Sequence, residues 1–434
     1  MGSPDPLGTF TRWAHQYGDI FHYRVLHRHI YFLNHPDFVK DVLITHHQNF
    51  IKGEAVRFNR RIFGNGLVVN EGDSWRQQRR LIQPAFHRER IDSYADTMVA
   101  RTERMLSSWS DGETRDIHQD MMRLTLEIVA KTLFDVEIAS ERDRISVALT
   151  TLMELTSGAR VLMPPILRLV PTPGNLAYHR AARRLDDIVF GLIHQRRASP
   201  RPQSHSDSDS EDLLTTLLSA RDDAGAPMPT QQLRDEVMTL LLTGHETTAV
   251  ALSWTWYLLA QNPKAEKRLW CELRHVLNGR SPRAADLPNL PYTERVVKEA
   301  MRLYPPVWAV VRNPTKDCEI GGYRVPAGAA VILSQWVMHR DPRFYSEPER
   351  FHPDRWLDPP AAIPKFAYIP FGAGLRGCIG ATFASIEAAL VLATVAQKYQ
   401  LRLAPDCIAD PTPAITLRPR HGIKVILARR AGKA

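Results

Sequence analysis

Apolar residues recur every three or four positions through most of this chain, the pattern of helices that bury one face. The spacing predicts helices over Trp75–Phe86, Tyr94–Trp109, Asp116–Phe134 and Leu176–His194. A longer one covers Thr230–Gln261, with Thr230 as its N-cap and Asp235-Glu236 near its positive end. Pro263–Leu277, Tyr292–Leu303 and Cys378–Gln400 complete the helical set. Strand-like alternation is confined to short runs. These are a hairpin over Ile20–Leu33 with a basic turn at His27-Arg28-His29, a small sheet over Cys318–Leu333 turning at Gly321-Gly322 and Pro326-Ala327-Gly328, and a closing strand at Ile423–Leu427. The expected fold class is mainly α with small β-sheets, an α+β arrangement.

Between Ala198 and Asp212 the sequence ASPRPQSHSDSDSED holds too little apolar surface to pack and predicts an exposed loop. With 44% hydrophobic and 24% charged residues among 434, the chain has the composition of an ordinary globular protein with room for a buried cofactor. A formal charge of +9 favours an acidic partner or an anionic surface. Nucleic acid is the weakest candidate, because basic residues alternate with acidic ones, as in Glu141-Arg142-Asp143-Arg144, and no zinc-finger spacing accompanies them. Four scattered cysteines without C-x-x-C spacing argue against a disulfide framework or a zinc site and for a reducing compartment. Without an apolar run of transmembrane length or a signal-peptide pattern, the expected location is cytoplasmic.

The richest chemistry lies in Phe371-Gly372-Ala373-Gly374-Leu375-Arg376-Gly377-Cys378-Ile379-Gly380. Glycines let a backbone pass close under a flat partner. Cys378 stands where the loop enters a helix, and free amide N–H groups there favour the thiolate, the form that binds metal. In mid-helix, Thr243-Gly244-His245-Glu246-Thr247-Thr248 combines β-branched residues with a glycine, which local helix stability does not explain. The Thr247 hydroxyl can bond the carbonyl of Thr243 or Gly244. Glu299 and Arg302 share a helix face at a spacing of three.

Phe371, Gly374, Arg376, Cys378 and Gly380 stand as in F-x-x-G-x-R-x-C-x-G, and the chain in this resembles the cytochrome P450 superfamily, in its soluble bacterial form. The resemblance spans the chain from the hairpin to the closing strand and implies a single haem domain over residues 1–434 with the long central helix over the haem. It implies haem b (iron protoporphyrin IX), with Cys378 as its metal ligand and Trp75, Arg79, Arg312, Phe371, Gly372, Arg376 and Gly380 as cofactor-binding residues. Glu246 and Thr247 become the catalytic proton-relay pair. Glu299, Arg302 and Arg350 become a structural set, a buried carboxylate between two guanidiniums. Pocket stretches of relatives fall at Arg60–Val69, Val161–Val170, Leu240–Thr243, Val307–Val310 and Ile415–Leu417. Within them Leu241, Thr243, Val307, Val310 and Leu417 are candidate substrate contacts, and Trp308 is the bulkiest element.

The activity implied is a haem-thiolate monooxygenase that inserts one atom of dioxygen into a hydrophobic substrate, by hydroxylation or epoxidation of a fatty acid, terpenoid or steroid-like molecule. Electrons would come from a separate ferredoxin or flavodoxin with its reductase. The alternatives are a peroxide-driven haem hydroxylase, against which the Glu246-Thr247 pair argues, and a haem-thiolate gas sensor, which would need an output domain.

Overall fold

The longest helix frames the rest. In the computed structural model, which describes residues 5–57, 59–138, 141–155, 170–198, 212–221, 225–357 and 363–430, it runs over Thr230–Gln261 as its periodicity predicts. A helix apolar nearly all round must be buried nearly all round. Every residue from Leu233 to Trp256 is buried except Thr243, Gly244 and Thr247. It packs most extensively on Ile117–Phe134, where the Thr125 hydroxyl crosses to donate to the His245 carbonyl at 2.9 Å. Its N-cap is Pro229, not Thr230. Thr230 is already helical, and its hydroxyl is engaged by Arg197 at 2.7 Å.

Around this axis lie Gly72–Ile82, Arg88–Leu106, Pro173–Ala198, Pro263–Leu277, Pro291–Leu303 and Ala381–Lys398. The first ends in a tighter 3₁₀ turn at Gln83–Phe86. Ala381–Lys398 is shorter than Cys378–Gln400 at both ends. The Cys378 N–H bonds back to the Phe371 carbonyl at 2.9 Å instead of entering the helix, and Tyr399–Leu403 is a strand. The helices Pro6–Tyr17 and Arg142–Leu155 add to the expected set; in the latter Val147 is exposed, which blurs its apolar face.

The Ile20–Leu33 hairpin is present as Ile20–Val25 against Arg28–Leu33. It opens a five-stranded sheet continued by Ala330–Leu333, Val310–Pro314 and Phe50–Lys52. Ala330–Leu333 therefore leaves the small sheet expected over Cys318–Leu333, where only Cys318–Ile320 and Tyr323–Val325 pair. At the far edge Lys52 stands directly opposite Arg312. The closing strand, Lys424–Arg429, pairs with Thr114–Asp116 and Tyr399–Leu403. Of the loop expected around 198–212, residues 199–211 lie outside the described residues. No helix among the described residues is long and apolar enough to cross a membrane.

Candidate active site

The cysteine loop is shaped by its backbone. Gly372 and Gly374 both sit at φ +70°, and a Cβ on Gly374 would stand 2.2 Å from the Leu43 carbonyl oxygen, so only glycine fits there. Cys378 lies two residues before Gly380, the N-cap of Ala381–Lys398. Burial pushes its thiol up and outweighs the Gly380 N–H and the Arg79 charge that favour the thiolate. The amide N–H expected to favour the thiolate does act on the sulfur, through Gly380, but the sulfur lies short of the helix and burial weighs more. The side chain is nonetheless solvent-accessible. A group both enclosed and accessible lines an inner wall, and coordination to a metal cation would deprotonate it outright.

Beside the loop, three cations gather around one indole. The Arg376 guanidinium lies 3.7 Å over the Trp75 ring, with Arg79 at 5.7 Å and the Lys52 ammonium at 6.0 Å. Arg79 also donates to the Gly377 carbonyl at 2.9 Å, tying the Gly72–Ile82 helix to the cysteine loop. Arg376 pairs with Glu71. Burial and neighbouring Arg376 lower Arg312 to about 10, and the same two causes take Lys52 to about 7. Lys52 donates to the Leu67 and Asn70 carbonyls, both at 2.8 Å. Lys52 and Arg312 face each other across the strands, and the Glu71 carboxylate beside both offsets part of the cost of burying them. The sequence places Trp75, Arg79, Arg312 and Arg376 together here but gives no sign of Lys52, whose role depends on strand pairing.

Thr243, Gly244 and Thr247, at positions i, i+1 and i+4, form the one accessible strip in the middle of the buried central helix. The Thr247 hydroxyl donates to the Thr243 carbonyl at 2.9 Å, one of the two bonds its position allows. Glu246 is buried and points elsewhere. Its carboxylate accepts from Arg418 at 2.6 Å and Thr416 at 2.5 Å. Burial would raise its pKa, but Arg418 and Thr416 hold it below the ordinary carboxylate range. Sequence alone did not flag Arg418.

Glu299 is fully buried and held by Arg302 through two bonds of 2.8 and 2.9 Å. Its second guanidinium is Arg355 at 3.3 Å, not Arg350. Arg350 turns outward to Glu347 at 2.8 Å and contributes only its carbonyl, which accepts from Arg302 at 3.1 Å. The path of the chain through Glu347–His352 decides this, since it turns the Arg350 side chain to solvent.

The same cluster fixes His339, whose Nε2 accepts the Ile369 N–H at 3.0 Å just ahead of the cysteine loop. Burial, then Arg302 and Arg340, take His339 down to about 3, and burial with Arg418 takes His118 to about 4. Both rings are neutral when folded, whereas unfolded each takes up a proton near 6.5. The unfolded state then binds more protons as pH falls below 6.5, and stability is lost by on the order of 2 kcal/mol per ring by pH 5. Denaturant midpoints should drop between pH 7.5 and 5, with a smaller drop in His339→Gln. A midpoint that holds or rises on acidification contradicts this.

Among the pocket candidates, Thr243, Val307 and Val310 are half-buried, while Leu241 and Leu417 are closed off in the core. Leu417 serves through its backbone, its N–H reaching Pro306 and its carbonyl accepting Trp254 at 2.7 Å. Trp308 stacks on Phe10 and donates to the Ala414 carbonyl at 2.9 Å. Of Val161–Val170, only exposed Val170 lies within the described residues.

Residues 3–427 match the family described as cytochrome P450. The chain is similar to cyclooctatin synthase of Streptomyces melanosporofaciens, 38% identical over 404 residues that cover 92% of this chain and 87% of the relative. It is 38% identical over 394 residues to cyclooctat-9-en-7-ol 5-monooxygenase of the same organism, covering 90% and 84%. Pentalenene oxygenase of Streptomyces avermitilis is 34% identical over 421 residues, covering 96% and 92%.

Proposed function

The chain belongs to the cytochrome P450 family and is a monooxygenase, and from that premise we propose that it binds haem b through Cys378 and inserts one atom of dioxygen into a terpenoid-like hydrocarbon or alkenol. The observation that carries this reading is the accessible strip Thr243-Gly244-Thr247 in an otherwise buried helix, in a fold that also leaves Cys378 accessible. The residues fit the cofactor. Cys378 is an accessible soft donor next to the positive-φ glycines of its loop, which suits a metal that brings its own flat chelate. The opposed Lys52 and Arg312, with Arg79 and Arg376, suit a partner bearing two carboxylates. Haem-thiolate, when bound, supplies dioxygen activation, the thiolate favouring O–O cleavage.

The protein's part is proton management and substrate placement. Thr247 Oγ1 holds a proton on the accessible face, now given to the Thr243 carbonyl. Glu246 reaches that face only by exchanging Arg418 and Thr416 for another partner, which makes Arg418 the group that holds the relay at rest. Thr247→Ala should divert reducing equivalents from product into hydrogen peroxide at similar electron consumption. The ratio of product to NAD(P)H consumed, measured with a surrogate redox partner, checks this, and unchanged coupling would remove Thr247 from the relay.

The half-buried Val307, Val310 and Thr243 support an apolar substrate, and the relatives' names, an alkene and an alkenol, favour the terpenoid class. Exposed Arg76 and Arg80, on the helix tied to the cysteine loop, support docking of an acidic ferredoxin or flavodoxin. Residues 1–434 then act as one haem domain in the cytoplasm.

A further inference from the structure

Three consecutive charged residues, Arg234, Asp235 and Glu236, are all buried in the first turns of the central helix. Their position near a positive helix end does not explain this, because a dipole effect needs no burial. Burying ions is unfavourable unless each is paired, and it is weak evidence for a stability role.

All three reach the same short segment of backbone. Arg234 donates to the Ile62 carbonyl at 2.6 Å and is itself held by Asp186 from the Pro173–Ala198 helix. The Asn65 N–H donates to Asp235 at 2.8 Å, and the Leu67 N–H donates to Glu236 at 3.0 Å. Gln78 donates to the Asn65 carbonyl at 3.0 Å, and Lys52 takes the Leu67 carbonyl. The segment is moulded to the helix as well as bonded to it. A Cβ on Gly64 would lie 2.0 Å from the Asp235 carboxylate, and one on Gly66 would lie 2.1 Å from the Thr239 hydroxyl and 2.5 Å from the Asp235 carbonyl oxygen.

From this geometry we infer that Arg234-Asp235-Glu236 is a specificity-determining clamp, which fixes Ile62–Leu67 against the central helix and so sets the width of the substrate pocket. The inference rests on the reading above, in which Thr243 faces the substrate: Gly66 lies against Thr239, one turn before Thr243, whose hydroxyl donates to the Thr239 carbonyl at 2.7 Å. The three side chains are positioning residues, since they grip peptide groups and not the substrate. A clamp on N–H and carbonyl groups holds the backbone without prescribing the side chains of the segment, which leaves those free to define the substrate.

The test uses the haem-loaded full chain, with imidazole and a bulky arylimidazole as probes. Binding is read from the Soret shift, and backbone protection at Asn65 and Leu67 from hydrogen exchange. Glu236→Met should lower protection at these amides about tenfold and bring the affinity ratio of the two probes toward one, while Glu236→Gln, which keeps an acceptor, restores both. Gly66→Ala leaves every charge in place yet pushes the segment off the helix, and should give the same loss if the Glu236 variant does not fold. Unchanged protection and probe ratio in both Glu236→Met and Gly66→Ala overturn the clamp. Lost protection with an unchanged ratio overturns its role in specificity and leaves a fastening alone. Failure of the haem reading is seen separately, as absence of the thiolate Soret band in the parent chain, whereas amide protection is read without any spectrum.

Discussion

Glu299→Gln is expected to leave little folded, haem-loaded protein, and Arg350→Ala to be almost silent. Glu299 accepts five hydrogen bonds: two from Arg302, one each from Arg355 and the Trp356 indole at 3.3 and 3.0 Å, and one from the His352 N–H at 3.1 Å. Glutamine turns one acceptor oxygen into an NH2 donor that faces other donors. It also leaves the fully buried Arg302 without its counter-charge. Breaking a buried pair from one side costs about 3–5 kcal/mol, a large part of a typical net stability of about 5–15 kcal/mol. Arg302 in turn donates to the carbonyls of His339 at 2.8 Å and Pro348 at 2.6 Å, so the damage extends to the segment that carries the cysteine loop. Arg350 holds only the exposed Glu347, a pair worth under about 1 kcal/mol. Denaturant midpoints should fall most in Glu299→Gln, less in Arg355→Ala, which removes one of the five bonds, and least in Arg350→Ala. If Arg350→Ala is as damaging as Arg355→Ala, the partner assignment is wrong.

That Arg350 and Arg355 are so easily exchanged shows where sequence reading ends. Both follow Glu299 at a distance that no local rule governs, in irregular chain whose path is set by tertiary bonds. The central helix is different. Its limits were legible because a run apolar on nearly every face has one stable fate, and only its cap was misplaced, by a proline that cannot be ranked against threonine without the entry angle of the chain. The cysteine loop was legible because its glycines answer a local backbone need. Arg418 and Lys52 were not legible, since each acquires its partner across more than a hundred residues, Glu246 in one case and the facing Arg312 in the other. Asp235-Glu236 looked like a dipole device because acidic residues near a helix N-terminus usually are one, but with Pro229 as the cap they lie beyond the first turn.

Cys378→Ser separates holding the loop from binding the iron. Serine is nearly isosteric, and the bond that shapes the turn, from the Cys378 N–H to the Phe371 carbonyl, belongs to the backbone and survives. The positive-φ glycines, the Arg79 contact and the Glu299 cluster are also untouched. Stability of the haem-free chain should therefore shift by less than about 1 kcal/mol, the small end of what point substitutions do. The chemistry should be lost. A serine hydroxyl is far more basic than a thiol, and the burial that already pushes the Cys378 thiol up acts on it too. The oxygen thus reaches the iron, if at all, as a harder and weaker donor. The reduced, carbon-monoxide-bound protein should lack the red-shifted Soret band, and oxygenation of substrate should fall below detection. Glu299→Gln loses the same band because the loop is no longer held, so only the pair of measurements is diagnostic. A Cys378→Ser chain with the parent's fold and no thiolate band places the ligand at this sulfur, whereas one that keeps the band would move it to another side chain.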